Sequence, residues 1–213
     1  MDAALTTEKN EKGSFYLRKK DWLNLAKETL IEEGIANVKI KRMAEKLEVS
    51  RSSFYWFFKN IDELYNELML YWEATNSKPF IERAERSAPT VHIAIMNLFE
   101  CWVDPRLFDP RLDVAVRLWA RTDDSILACV KKVDLERMNA LTSMFSRYGY
   151  DSKESVVRSR TLYMTQIGQY TLDFDEPERE RFNLLEKWLK VFSGSDPKPD
   201  DVRAFRKRFL GSE

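Results

Sequence analysis

Six consecutive residues concentrate side chains that could read another molecule: Arg51-Ser52-Ser53-Phe54-Tyr55-Trp56. An arginine forks to two acceptors at once, serine hydroxyls bond phosphate or base oxygens, and exposed aromatic rings touch methyl groups. Elsewhere the chain offers little for catalysis. Its single histidine, His92, leaves no Ser-His-Asp set, no HExxH and no histidine cluster. Its two cysteines, Cys101 and Cys129, have no CxxC spacing, and they are expected to be reduced, structural thiols. Neither a GxGxxG run nor a Walker loop occurs. The acids Asp123-Asp124 and Asp173/Asp175/Glu176 fall at expected helix ends, where carboxylates serve as caps. An oxygen-only cation site would need about six ligands. No metal, no cofactor and no enzymatic activity are expected; a helical enzyme is the weakest alternative.

The elements that must position Arg51 to Trp56 are short and closely spaced. Ile40, Met43, Ala44 and Leu47 fall on one side of a short helix over 40–47. Ser50 is a suitable cap for a next helix running to about Phe57. Small Ala44 allows close approach of a crossing helix, and Met43, Leu47, Val49, Phe54 and Phe57 are spaced to bury between the two. This is the layout of a helix-turn-helix, whose second helix enters the major groove of DNA. Charge supports the reading. Residues 12–60 carry 11 Lys/Arg against 6 Asp/Glu, whereas residues 61–213 carry 23 against 26. The whole chain balances at 35 against 35, so any attraction for DNA must come from that local patch.

The remaining pattern predicts an all-α protein. Apolar residues make up 44% of the 213, enough for a core, and residues 35–148 contain no glycine, which excludes glycine-turned β or α/β architectures. Trp22, Leu23, Ala26, Leu30 and Ile31 mark one face of a helix over 19–33, with Gly34 as its stop. Asn60-Ile61-Asp62 opens a long helix with Leu64, Leu68 and Tyr71 inward. Further helices are expected over 90–103, 111–121, 123–147 and 152–171, then a turn over 173–177, then helices over 178–192 and about 200–210. The Arg203, Arg206, Lys207 and Arg208 run reads as a solvated face. The expected domains are a tail over 1–14, a DNA-binding head over 15–62 and a helical body over 63–213. No stretch approaches the ~20 apolar residues of a membrane helix, and Met1–Lys12 has no apolar run, so neither a membrane span nor a signal peptide is expected. A cytoplasmic protein is the simplest expectation.

Residues 20–65 resemble the DNA-binding head of the tetracycline-repressor (TetR) family. Trp22–Gly34 is similar to its first helix, Met43-Ala44-Glu45-Lys46-Leu47 to its second, and Val49–Leu64 to its recognition helix and the start of its fourth. The resemblance implies a transcriptional regulator, most often a repressor, that binds a palindromic operator as a homodimer. It places the Tyr55 hydroxyl and the Lys59 amine on phosphates, and Arg51, Ser52, Ser53 and Trp56 toward the groove. With Lys39, Lys41 and Ser50 these form the expected DNA-binding set. Where the family usually has glycine in the turn this chain has Glu48, and a left-handed non-glycine costs ~1–2 kcal/mol. Where the family usually caps the second helix with threonine, this chain has Lys39.

For the body the resemblance implies dimerisation and a small, apolar or aromatic effector whose binding changes the spacing of the two heads. The candidate effector residues are His92, Phe99, Trp102, Phe108, Trp119, Tyr163 and Gln166, aromatics with a few polar groups. The candidate interface takes Val156, Tyr163, Ile167 and Tyr170 from one helix and Phe182, Leu185, Trp188 and Leu189 from the next, making four helices across a two-fold axis. Each of these side chains is equally suited to plain core. Control by a protein partner in place of a small molecule is the alternative.

Overall fold

A computed structural model describes residues 17–172 and 177–210. The expected tail over 1–14 and most of the expected turn over 173–177 lie outside the described residues. Within them all regular structure is helical: eleven α-helices with short 3-10 and π segments, and no strand. The all-α expectation holds. The chain divides into two compact units, Met1–Leu70 and Tyr71–Glu213.

The first unit contains α1 (Lys19–Glu33), a 3-10 turn (Ile35–Asn37), α2 (Ile40–Lys46), a 3-10 segment (Arg51–Trp56) and most of α3 (Ile61–Trp72). At the start of α1 the Arg18 amide donates to Asp21 Oδ2 at 2.7 Å. At its end Gly34, at φ +78°, donates to the Leu30 carbonyl at 3.1 Å. Trp22, Ala26, Leu30, Val38, Met43, Ala44, Phe54, Phe58, Leu64 and Leu68 are buried, whereas Leu23, Ile31, Leu47 and Val49 are half-buried. Phe58, not the expected Phe57, takes the inner position. Its amide bonds the Phe54 carbonyl at 3.1 Å, a four-residue step that sets the two rings in a stack at 5.1 Å, and leaves Phe57 half-buried.

The second unit begins inside α3, eight residues past the boundary expected at 62/63. Trp72, rather than the half-buried Tyr71, is the inward residue of this turn, because its indole Nε1 finds a buried acceptor in Asp113 Oδ1 at 2.9 Å. A π segment (Glu73–Ser77) then leads into α4 (Lys78–Glu85), with Pro79 in its first turn. Proline lacks an amide and its ring clashes with the carbonyl four residues back, so a wider turn immediately before it removes the conflict. The following helices are α5 (Val91–Val103), α6 (Pro110–Trp119), α7 (Asp124–Arg147), α8 (Ser152–Thr171), α9 (Glu178–Asn183), α10 (Leu185–Ser193) and α11 (Pro199–Leu210). The expected single helix over 178–192 is therefore two, broken at Leu184.

Thr90, Asp109, Asp123 and Asp151 cap α5 to α8 with their side-chain oxygens. Asp123 accepts the Ser125 and Ile126 amides at 2.9 and 3.2 Å and the Ser125 hydroxyl at 2.6 Å, which holds its carboxyl below the usual range. It thus acts as a cap, as its position predicts. Asp173, Asp175 and Glu176 lie outside the described residues. Helix α7 packs along α4, α6 and α8, and α5 packs against α4, α10 and α11. No helix among the described residues is long and apolar enough to cross a membrane.

Candidate DNA-binding face

The face is built by the turn between α2 and the 3-10 segment. The Glu48 amide bonds the Glu45 carbonyl at 3.2 Å and the Val49 amide bonds the Ala44 carbonyl at 3.0 Å. These two bonds close α2 as a Schellman motif, with Glu48 at φ +56° in the position glycine favours. The chain then leaves at Ser50 in extended conformation. The Ser50 hydroxyl makes no cap bond to the backbone. It bonds the Ser52 and Ser53 hydroxyls at 2.7 and 3.1 Å instead, and the segment that follows is 3-10 rather than α-helical.

Aromatic side chains divide sharply across this segment. Phe54 is fully buried, meeting Trp22 edge-to-face at 5.2 Å, whereas Tyr55 is 58% and Trp56 79% exposed. The cations divide as well. Lys46 bonds Glu33 at 2.7 Å, Arg42 pairs with the same carboxylate, and Lys19 pairs with Glu67 at 2.8 Å. The Glu33 carboxyl is accordingly held low, first by the Lys46 hydrogen bond. Lys39, Arg51 and Lys59 are exposed and form no ion pair among the described residues, and Lys41 lies 3.9 Å from exposed Glu45. Lys59 is positioned through its backbone: its amide donates to Glu63 Oε2 at 2.7 Å, while Asn60 Oδ1 accepts the Glu63 amide at 2.9 Å and starts α3. Tyr65 ties α3 to the approach of α2 by donating to the Val38 carbonyl at 3.1 Å. All nine residues of the expected set therefore lie in one unit on or beside one turn, and only Ser53 is half-buried.

This segment and the helices flanking it match a known family. Residues 23–68 fit the family described as "Bacterial regulatory proteins, tetR family". The head is a tetR-family head. The match runs from Leu23 in α1 to Leu68 in α3, so it covers every element that positions the turn. The helical fold is also found in solved structures. Mycobacterium smegmatis AmtR superposes with a TM-score of 0.59 at 19% identity, over 97% of this chain and 99% of its own. A Mesorhizobium loti chain assigned as a TetR-family transcriptional regulator gives 0.55 at 12% identity, over 89% and 95%. No curated protein matches the sequence.

Of the candidate effector residues, Phe99, Trp102, Phe108 and Tyr163 lie in one apolar cluster. His92, buried at the start of α5, bonds the Ser193 hydroxyl at 2.9 Å and the Ser195 carbonyl at 3.0 Å, tying α5 to the end of α10. Phe99 and Trp102 pack together at 4.4 Å in the central cluster, while Trp119 is buried outside it. Phe108 stacks on Tyr170 at 5.6 Å, and half-buried Gln166 lies one helical turn from Tyr170. Among the candidate interface residues, Tyr163, Phe182, Leu185 and Leu189 are core of the chain itself, with Ile167, Tyr170 and Trp188 packed on them and Val156 half-buried. Buried side chains present no surface to a partner. The outward apolar residues of the same helices are Val157, Met164, Leu172, Leu184 and Val191.

Sequence reasoning passed over a buried ionic cluster. Asp113 accepts from Trp72, from Arg117 Nε at 2.8 Å and from Arg137 Nη1 at 3.1 Å. Asp134 grips Arg117 with both oxygens, at 2.7 and 2.9 Å, and accepts the Tyr163 hydroxyl at 2.6 Å. Burial alone would raise the Asp113 carboxyl, but the Arg137 and Arg117 charges outweigh it and hold the group below its usual range. Burial pushes the Tyr163 phenol up, so it stays a donor. The available signal was Arg137 itself, which interrupts the apolar stripe Val130, Val133, Leu141, Met144 of α7. The cysteines are poor nucleophiles. Burial pushes the Cys101 thiol up to about 12, and burial with a 3.2 Å bond to Glu73 pushes Cys129 up to about 11. The C-terminal basic run is only partly solvated: Arg206 donates to the Phe182 and Asn183 carbonyls and Arg208 reaches buried Glu100 at 2.7 Å.

Proposed function

We propose that this chain is a cytoplasmic homodimeric repressor whose heads bind a palindromic operator and whose bodies release it on binding a small molecule. The observation that carries the DNA reading is the division within one turn: Phe54 and Phe58 are buried and hold the head together, while Trp56 and most of Tyr55 face outward. Large exposed aromatics on a folded surface favour a binding role. Arg51 is suited to a bidentate contact with guanine, Trp56 and the Ser52 and Ser53 hydroxyls to base edges, and Tyr55, Ser50, Lys39, Lys41 and Lys59 to phosphates.

The dimer uses the outward face of α8 and α10. Val157 and Met164 lie two helical turns apart on α8 with Leu172 at its C-cap, and Leu184 precedes α10 while Val191 lies within it. Paired with a second copy, these helices form a four-helix, self-complementary interface. Two heads related by a two-fold axis then meet half-sites about 34–36 Å apart or somewhat more.

Selection of bound fragments from a random DNA pool, followed by mass measurement of the complex, tests the reading. Enrichment of an inverted repeat holding two chains is expected. Enrichment of nothing, or of a site held by one chain, overturns it.

A further inference from the structure

The body contains an arginine whose bonding is incomplete. Arg137 is fully buried in α7. Its Nη1 donates to Asp113 at 3.1 Å and to the Tyr163 hydroxyl at 3.3 Å, and its Nε reaches the Ser77 hydroxyl at 3.4 Å. Its Nη2 is buried with no hydrogen-bond partner among the described residues. Rings surround the guanidinium: the centroids of Trp72, Phe108 and Phe80 lie 5.1, 5.6 and 5.9 Å from Cζ. An unpaired N–H group in such surroundings is a standing penalty, and buried polar groups of this kind are rare enough to call for a ligand or a water.

The neighbouring acceptors are already committed. Asp113 serves Trp72, Arg117 and Arg137, and both oxygens of Asp134 hold Arg117. Turning either toward Nη2 would break a bond it makes now. A second donor borders the same rings: Tyr170, stacked on Phe108, has a buried hydroxyl whose polar neighbour is Gln166. The ion pairs around the guanidinium balance, Arg117 and Arg137 against Asp113 and Asp134, and Nη2 is the donor they leave over.

We propose that Arg137 Nη2 is the anchor for a carboxylate on the effector, whose apolar part lies against Phe108, Phe80 and Trp72. Guanidinium supplies a planar, permanently charged donor to a carboxylate, and the rings supply the apolar wall. The anchor also contacts the chain at informative places. Ser77 ends the π segment, and Trp72 is the last residue of α3, which begins at Ile61 in the head. A carboxylate that draws Arg137 acts on both. The inference rests on the effector reading above.

The test titrates benzoate, phenylacetate and octanoate, each beside its uncharged amide, into the DNA-free full-length chain. Tryptophan fluorescence and the melting midpoint report binding. At least one acid is expected to bind saturably, with its amide at least about tenfold weaker, the size of one charge-assisted hydrogen bond. Arg137→Lys keeps a cation beside Asp113 but lacks Nη2, and weakens the acid by about tenfold or more. Tyr170→Phe keeps the ring on Phe108, removes the hydroxyl beside Gln166, and weakens the acid by a smaller factor. Amides that bind as well as acids overturn the proposal. So does undiminished acid binding by folded Arg137→Lys, or a panel that fails throughout, which would assign Nη2 to a bound water. If Arg137→Lys does not fold, the acid–amide comparison and Tyr170→Phe decide. Operator binding is measured on the same samples. DNA binding without acid binding overturns this inference alone, whereas acid binding without DNA binding upholds the site and overturns the regulator reading.

Discussion

The Val49 amide donates to the Ala44 carbonyl at 3.0 Å, and between them Glu48 sits at φ +56°. The bond fixes the angle at which the chain leaves α2, and so the direction in which Arg51 and Trp56 face. Glu48 also places a carboxylate beside a face that has to meet phosphates. The strain and the charge share one position, and one substitution removes both.

Glu48→Gly is expected to stabilise the head. Relief of the left-handed strain gives ~1–2 kcal/mol, and the added freedom of glycine in the unfolded chain takes back ~0.5–1 kcal/mol. A net gain on the order of 0.5–1 kcal/mol should appear in denaturant unfolding followed by circular dichroism, with tighter DNA binding beside it. Glu48→Ala keeps the strain and should give no such gain in stability.

Phe54 and Trp56, two residues apart, should behave oppositely. Phe54→Ala opens a cavity under Trp22 and costs ~3–5 kcal/mol, enough to unfold a small head. Trp56→Ala should change stability by no more than ~0.5 kcal/mol and yet reduce DNA binding. Equal melting of the two variants would refute the division of roles.

The lysines separate in a salt titration. Lys39→Ala and Lys59→Ala each remove a cation with no ion-pair partner among the described residues, and each should lower the slope of log affinity against log salt by ~0.9 if it neutralises one phosphate. Lys46, bonded to Glu33 at 2.7 Å, should change the slope less.

Asp113→Asn tests the buried cluster. The folded carboxyl is held below its ordinary range, so its contribution is full above about pH 4 and is lost as pH falls through the folded value. Removing the charge leaves Arg137 uncompensated at pH 7, at a cost of ~3–5 kcal/mol. The gap between wild type and variant should narrow in urea unfolding below about pH 4. A gap that stays constant with pH would contradict the ionised pairing.

Met164→Glu should abolish the dimer without unfolding the chain. Met164 is 60% exposed, so the monomer tolerates a charge there, whereas a paired α8 face does not. Light scattering reads the mass directly, and an unchanged dimer would place the interface elsewhere.

The head was legible in the sequence because its signals are local. Turn, small Ala44, basic excess and exposed aromatics all lie within about twenty residues, and each survives without knowledge of the rest of the fold. Helix starts at Thr90, Asp109, Asp123 and Asp151 were equally readable, since a cap acts on its own next turn. What sequence could not rank was which face of α8 or α10 turns inward. Both faces carry apolar residues, and Tyr163 and Leu189 went to the core while Val157 and Val191 stayed outside. The Asp113–Arg137 contact spans 24 residues and two helices, so Arg137 in the α7 stripe signals a buried charge without naming its partner.

The most direct test of the central claim is fluorescence anisotropy on a selected operator, in a salt series, for wild type and Arg51→Ala. Wild type should bind well below the ~10⁻⁴–10⁻⁶ M of non-specific association, with affinity falling steeply as salt rises. Arg51→Ala should lose ~1–3 kcal/mol of discrimination between the operator and a variant altered at the contacted base, while its salt slope changes by no more than about one unit. Equal discrimination by both proteins would mean that the segment carrying Arg51 does not read DNA.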